Sequence, residues 1–182
     1  MSDIVRFSND LVNLCLLRDD IESMNEYVRW LSSPDISDYV DFHYDILTIN
    51  DIRNFFNDED CESLSIVDKD SGDLIGFCCI KKFCSNIISF SIRYLVIGDK
   101  QYRNRGYGKS VLNILLNFLF NDCNARRVEL GVVSNNFIAR KVYSVVGFKE
   151  VGRRREAHYC NGEYSDIIMM DITRTDYDNI NG

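Results

Sequence analysis

The stretch Tyr102-Arg103-Asn104-Arg105-Gly106-Tyr107-Gly108-Lys109-Ser110 decides how the chain is organised. It lies between an apolar run over residues 87–97 and a second over residues 111–120, which reads as strand, turn and helix. Two glycines leave the backbone without β-carbons, so consecutive N–H groups at a helix start can converge on one anion. Arg103, Arg105 and Lys109 add positive charge to a chain of formal charge −7. The stretch therefore reads as a phosphate cradle. A P-loop would need G-x-x-x-x-G-K-[ST]; Gly108-Lys109-Ser110 supplies its end, but Arg103 stands where the first glycine belongs. A dinucleotide fingerprint fails too, because the glycines come late and a hairpin precedes the strand.

A second constellation follows a strand over residues 127–133. The chain reads Ser134-Asn135-Asn136-Phe137-Ile138-Ala139-Arg140-Lys141-Val142-Tyr143-Ser144-Val145-Val146-Gly147-Phe148. Asn136, Ala139 and Tyr143 are spaced three and four apart and share one helix face. An asparagine, a small residue and a phenol on one face can admit an extended polar ligand. The same residues also fit a capping asparagine followed by a core alanine and tyrosine.

Around these two stretches the pattern gives a mixed α/β sheet. Residues 11–17 read as a first strand. Asp19 or Asp20 caps a helix with the apolar face Ile21, Met24, Tyr27, Val28 and Leu31, stopped at Ser32-Ser33-Pro34. Residues 35–47 are irregular and read as a loop or short helix. Thr48 and Asp51 resemble a capping box for a helix carrying Ile52, Phe55 and Phe56. Residues 63–67 and 74–82 form a hairpin, and a strand over 87–97 ends at Gly98. The helix after the cradle carries Val111, Leu112, Leu115, Phe118 and Leu119. Residues 136–146 form a helix with Gly147 after it, and strands 149–160 and 163–173 flank the hairpin dipeptide Asn161-Gly162.

At 182 residues with 46% hydrophobic and 27% charged side chains, the chain fits one soluble domain over 1–182. Its acidity disfavours nucleic acid as a partner. Seven scattered cysteines and two histidines form no zinc pattern and suit a reduced, cytoplasmic protein without a metal. No uncharged run approaches the ~18 residues of a membrane span, and the N-terminus lacks the pattern of a secretory signal.

Taken together, the two motifs resemble the GNAT family of acetyl-CoA-dependent N-acetyltransferases. Its [R/Q]-x-x-G-x-[G/A] motif matches Arg103-Asn104-Arg105-Gly106-Tyr107-Gly108, and its N-x-x-A-x-x-x-Y-x-x-x-G-F motif matches Asn136, Ala139, Tyr143, Gly147 and Phe148. The resemblance is specific over residues 85–172. It implies a mostly antiparallel twisted sheet of about seven strands with a splayed central pair and flanking helices. It also implies acetyl-CoA as cosubstrate and direct attack by a primary amine in a ternary complex. Backbone N–H groups of Arg103, Asn104, Arg105, Gly106, Tyr107, Gly108, Lys109 and Ser110 would hold the pyrophosphate. Val96 and Gly98 N–H groups would face the acetyl carbonyl and the pantetheine arm, Asn136 would bond that arm, and Tyr143 would protonate the leaving thiolate. The tail over residues 152–170 resembles the branch with ribosomal-protein alanine acetyltransferases; similar tails occur in polyamine and nucleotide-amino-sugar enzymes. The acceptor is thus a protein N-terminus or a small-molecule amine, and a homodimer stays open. A non-catalytic acetyl-CoA sensor is the reading from another class, because the glutamate base of some members falls here at Ile92. Glu129, Asp41, His43, Asp45, Glu156, His158 and Asp166 are the other candidates, and none is singled out. Asp35, Asp38, Tyr39, Asp41, His43, Tyr44 and Asp45 could attract and stack on a cationic amine, whereas Arg153-Arg154-Arg155 would favour an anionic acceptor.

Overall fold

Asp20 starts the first helix, α1 (Ile21–Leu31), by accepting from the Ser23 N–H at 3.0 Å and so satisfying a donor that has no partner inside the helix. In the computed structural model, which describes residues 3–40, 47–83 and 87–182, α1 buries Ser23, Met24, Tyr27, Trp30 and Leu31. Ile21 was expected on that face but is 65% exposed. It lies six residues before Tyr27, roughly 120° around the helix, so the stripe that includes Trp30 leaves it outside. Ser32 closes α1, and Pro34 begins the four-residue α2 (Pro34–Ser37) at a position where its missing N–H costs nothing. The predicted capping box is present: Thr48 and Asp51 bond each other's backbone N–H groups at the start of α3 (Ile49–Phe56).

Among the described residues eight strands form one sheet, one more than expected. In chain order they are β1 (Val5–Ser8), β2 (Val12–Leu16), β3 (Cys61–Asp68), β4 (Leu74–Phe83), β5 (Ser89–Ile97), β6 (Arg127–Val133), β7 (Lys149–Cys160) and β8 (Glu163–Thr173). Across the sheet the order is β1-β2-β3-β4-β5-β6-β8-β7. The extra strand, β1, is short and exposed, with no apolar run to announce it. The Asn9 side chain makes its hairpin with β2 by accepting from the N–H groups of Leu11 (2.9 Å) and Val12 (3.0 Å). β5 and β6 run parallel, paired over Ser89–Ser91 against Arg127–Glu129. The β7–β8 hairpin turns on Asn161 (φ 51°) and Gly162 (φ 84°), the two positive angles its dipeptide predicts.

The chain's contacts fall into two compact units, residues 1–80 with 94–114 and residues 81–93 with 115–182. In the first, Met24, Tyr27, Trp30, Leu31, Ile36, Ile52, Phe56, Phe77 and Val96 form the core. Tyr27, Phe56 and Phe77 meet edge to face at 5.1–5.8 Å. Gly76 of β4 is required there, since a β-carbon would lie 2.0 Å from the Val96 carbonyl oxygen. In the second, β6 pairs with β8 over seven residues, and Val128, Leu130, Ile168, Met170 and Ile172 are buried. Two further helices, α4 (Tyr107–Asn117) and α5 (Phe137–Val146), carry the candidate site residues, and α6 (Arg174–Asn181) ends the fold. Among the described residues no helix is long and apolar enough to cross a membrane.

Candidate active site

The cradle opens with a 3-10 turn over Lys100–Tyr102, capped by Asp99. Asn104 (φ 59°) and Gly106 (φ 88°) then take left-handed conformations that turn the chain into α4. The Ser110 N–H closes onto the Gly106 carbonyl at 2.9 Å, so Gly106 stands at the cap. The N–H groups of Tyr107, Gly108 and Lys109 therefore belong to the first turn, which has no intrahelical acceptors for them. A β-carbon added at Gly106 or Gly108 would meet nothing within 4 Å. Open space above an N–H-bearing helix start, beside the exposed side chains of Arg105 and Lys109, fits a phosphate group.

Part of the expected donor set is committed within the protein. Ser110 drops out: its N–H is used in α4 and its hydroxyl accepts from the Asn9 side chain at 2.7 Å. The Arg103 N–H donates to the Lys100 carbonyl at 3.2 Å. Its guanidinium donates to the carbonyls of Ile97 (2.9 Å) and Gly98 (2.8 Å) and to the carboxylate of Asp35, so its charge is not offered to a ligand. The Gly98 N–H donates to the Ile75 carbonyl at 2.8 Å, which corrects its expected role toward the pantetheine arm. What Gly98 supplies is close approach, because a β-carbon there would fall 2.0 Å from Trp30 Cδ2. Val96 is 7% exposed with its side chain in the core, so only its backbone remains for a ligand. The cradle contracts to residues 104–109.

Two tyrosines brace this loop on the β3–β4 turn, a contact the sequence reading missed. Tyr107 is 4% exposed and donates from its hydroxyl to Asp68; Tyr102 donates to Asp73 at 2.8 Å. Burial tends to raise the Asp68 pKa, but hydrogen bonds from Tyr107 and Ser71 outweigh it and hold the carboxyl below its ordinary value. Burial, then the bond to Asp68, pushes the Tyr107 phenol up to about 12. The two rings meet edge to face at 5.4 Å, and the Arg105 guanidinium lies 5.7 and 5.9 Å from their centroids.

Asn136 and Tyr143 lie in the second unit. Asn136 is the N-cap of α5: its Oδ1 accepts from the Ala139 N–H at 3.1 Å, and Gly147 (φ 111°) ends the helix as predicted. The cap uses one half of the amide and leaves Nδ2 as a donor. Tyr143, one face along, packs edge to face on Phe148 at 6.0 Å. Burial pushes its phenol up to about 12.

Several alternatives carry less than expected. Ile92 is buried in β5. Among the base candidates, Glu129 pairs with Arg127, while Asp166 accepts from the Glu156 N–H (2.9 Å) and from Arg153 (3.3 Å). Asp35 is also engaged. Ser33, then Arg103, hold its carboxyl well below the usual carboxylate range, so its charge is offset rather than open to an amine. Asp41, His43, Tyr44 and Asp45 lie outside the described residues. Cys78 and Cys79 are buried mid-strand, and burial drives the Cys78 thiol up, away from thiolate chemistry. Among the described residues, no group of three or more His, Cys, Asp or Glu could hold a metal.

Residues 20–169 match the family described as acetyltransferase (GNAT) domain. The chain is 25% identical to the spermidine N(1)-acetyltransferase of Vibrio cholerae serotype O1 over 129 residues, which is 71% of this chain and 73% of that one. An L-amino acid N-acetyltransferase of Escherichia coli is 32% identical over 72 residues, 40% of this chain and 44% of that one. Among solved structures, the Vibrio cholerae spermidine N-acetyltransferase in complex with CoA and spermine superposes with a TM-score of 0.77 at 21% identity, covering 94% of this chain and 100% of the other. A GNAT-family acetyltransferase from Bacillus anthracis gives 0.79 at 16% identity, covering 93% and 98%. With both sequence motifs in order and the fold shared, the chain belongs to the GNAT acetyltransferase family and is an acyltransferase of the N-acetyl-transferring kind.

Proposed function

We propose that residues 1–182 act as one domain that moves the acetyl group of acetyl-CoA to a primary amine of a small polycation, in a ternary complex. The observation that carries the donor is the open space over Gly106 and Gly108 at the start of α4. The N–H groups of residues 104–109, with Arg105 and Lys109, would hold the pyrophosphate, the Val96 backbone would face the acetyl carbonyl, and Asn136 Nδ2 would donate to the pantetheine. Acetyl-CoA supplies the acyl group as a thioester. Tyr143 would donate to its sulfur. A phenol near pKa 12 stands about 3.5 units above an ordinary thiol near 8.5, so complete proton transfer would be uphill by about 5 kcal/mol. A hydrogen bond to the developing thiolate carries no such cost, and the proton stays in place at every working pH.

Charge distribution supports the acceptor class. Residues 1–80 hold five Lys and Arg against eighteen Asp and Glu, a net of −13, while the remainder carries sixteen against ten, a net of +6. A field of that sign concentrates cations and repels anions. It favours the polyamine reading over the sugar-nucleotide one, in line with the spermidine named for the similar Vibrio cholerae enzyme. The test is thiol release from acetyl-CoA over a panel of spermidine, an alanine-terminated peptide and an amino sugar. We expect kcat/KM for spermidine to exceed the others at least about tenfold. Faster turnover of the peptide would replace the acceptor and keep the reaction; binding of acetyl-CoA with no turnover on any amine would overturn both.

The same field raises the pKa of a bound ammonium, so its deprotonation should control the rate. At saturating acetyl-CoA, kcat should climb with pH toward about 10 without an alkaline fall, because Tyr143 keeps its proton to about 12. A descending limb with an apparent pKa below about 10 would show that a different, more acidic donor is required.

A further inference from the structure

Arg103 carries three hydrogen bonds that converge on one short piece of chain. Its Nε and Nη2 fork the carbonyls of Ile97 and Gly98 at 2.9 and 2.8 Å, and its Nη1 donates to Asp35 Oδ2. The peptides that carry those carbonyls have their N–H groups on Gly98 and Asp99, and both donate to the Ile75 carbonyl, at 2.8 and 3.3 Å. Each peptide plane is therefore held from its two sides. The segment so fixed joins Val96 to the cradle. Among the described residues Asp35 is the carboxylate that pairs with the guanidinium, and it is itself placed by the α1–α2 turn: Ser33 caps α2, Pro34 starts it, and the Ser33 hydroxyl donates to Asp35 Oδ1. All of these groups belong to the first unit.

We propose that Asp35 is a positioning residue of the donor site, orienting the Arg103 fork so that the end of β5 and the cradle keep the geometry that receives coenzyme A. The proposal rests on the donor reading given above. A flexible arginine has rotamer freedom to lose, and a carboxylate at its third nitrogen removes that freedom before ligand arrives. Asp35 would not touch coenzyme A.

The sign of the effect separates this role from simple electrostatics. Coenzyme A is a polyanion, so deleting a carboxylate near the cradle should tighten its binding by Coulomb attraction alone. A positioning role requires the reverse. We expect Asp35→Asn, which is isosteric, to weaken coenzyme A binding about tenfold by calorimetry and to raise KM for acetyl-CoA equally. kcat at saturation should stay within about threefold. Lys100 pairs with the other Asp35 oxygen at 3.5 Å, on the side away from the Arg103 bond; Lys100→Ala should leave the affinity within about threefold. Asp35→Asn combined with Arg103→Gln should be no worse than Arg103→Gln alone. Unchanged or tighter binding in Asp35→Asn, or an equal loss in Lys100→Ala, overturns the proposal. If Asp35→Asn lowers Tm too far for measurement, the decision passes to Arg103→Lys, which keeps the charge but cannot fork: wild-type affinity in that variant also overturns it. Failure of the wild-type protein to bind coenzyme A would instead overturn the donor reading, so the two failures are distinct.

Discussion

An alanine at position 98 should lower the unfolding free energy by about 3 kcal/mol, the upper part of the range for forcing one carbon into a packed site. Its β-carbon would lie 2.0 Å from Trp30 Cδ2 and 2.4 Å from Cε2 and Cε3, and the indole is only 2% exposed, packed within the core. For a chain of this length that corresponds to a Tm drop of roughly 6–12 °C. Trp30→Ala alone should cost about 3–5 kcal/mol through lost burial. The double variant is the decisive measurement. With the ring gone the new methyl has room, so the combined loss should fall short of the sum by at least about 1 kcal/mol in urea unfolding. Additivity to within ~0.5 kcal/mol would mean that the collision does not set the cost.

Tyr143→Phe should lower kcat about 100-fold while leaving KM for acetyl-CoA within about threefold, the range for losing a hydrogen-bond donor to the charge that develops at the reacting atoms. The substitution keeps the ring and its edge-to-face contact with Phe148, so the fold should be retained. Stability, coenzyme A affinity and single-turnover rate should be measured together. A kcat equal to wild type with intact coenzyme binding would remove Tyr143 from the mechanism. Loss confined to stability would make it a packing residue.

Much of the fold could be read locally. Asp20, the Thr48–Asp51 box, Asn136, Gly147 and Asn161-Gly162 each act within a few residues of themselves, and each is found doing so. β1 escaped because its four residues alternate apolar and polar only briefly, and the strand is largely exposed rather than half-buried. At the candidate site, the glycine spacing located the cradle, but spacing could not reveal which donors the protein would use for itself. Ile75 takes the Gly98 N–H, Asn9 binds the Ser110 hydroxyl, and Ile97, Gly98 and Asp35 occupy Arg103. Ile75, Asn9 and Asp35 come from distant strands and turns, where no motif records them, while Ile97 and Gly98 lie only six and five residues before Arg103. Asn136 shows how one residue can satisfy two readings, since the cap uses its oxygen and leaves its nitrogen.

The three side-chain braces under the cradle also dictate when it can form. Asn9 reaches Ser110 across 101 residues, Asp35 reaches Arg103 across 68, and Asp68 reaches Tyr107 across 39. Closing loops of that length carries an entropic cost that local contacts do not. On a ribosome adding about 5–20 residues per second, Asn9 waits roughly 5–20 s before Ser110 is even synthesised. Through that interval the N-terminal segment lacks the Asn9–Ser110 contact. The 102–110 cradle is a late product of folding, and a nascent chain stalled before residue 110 would hold the acidic residues 1–80 without a closed cradle.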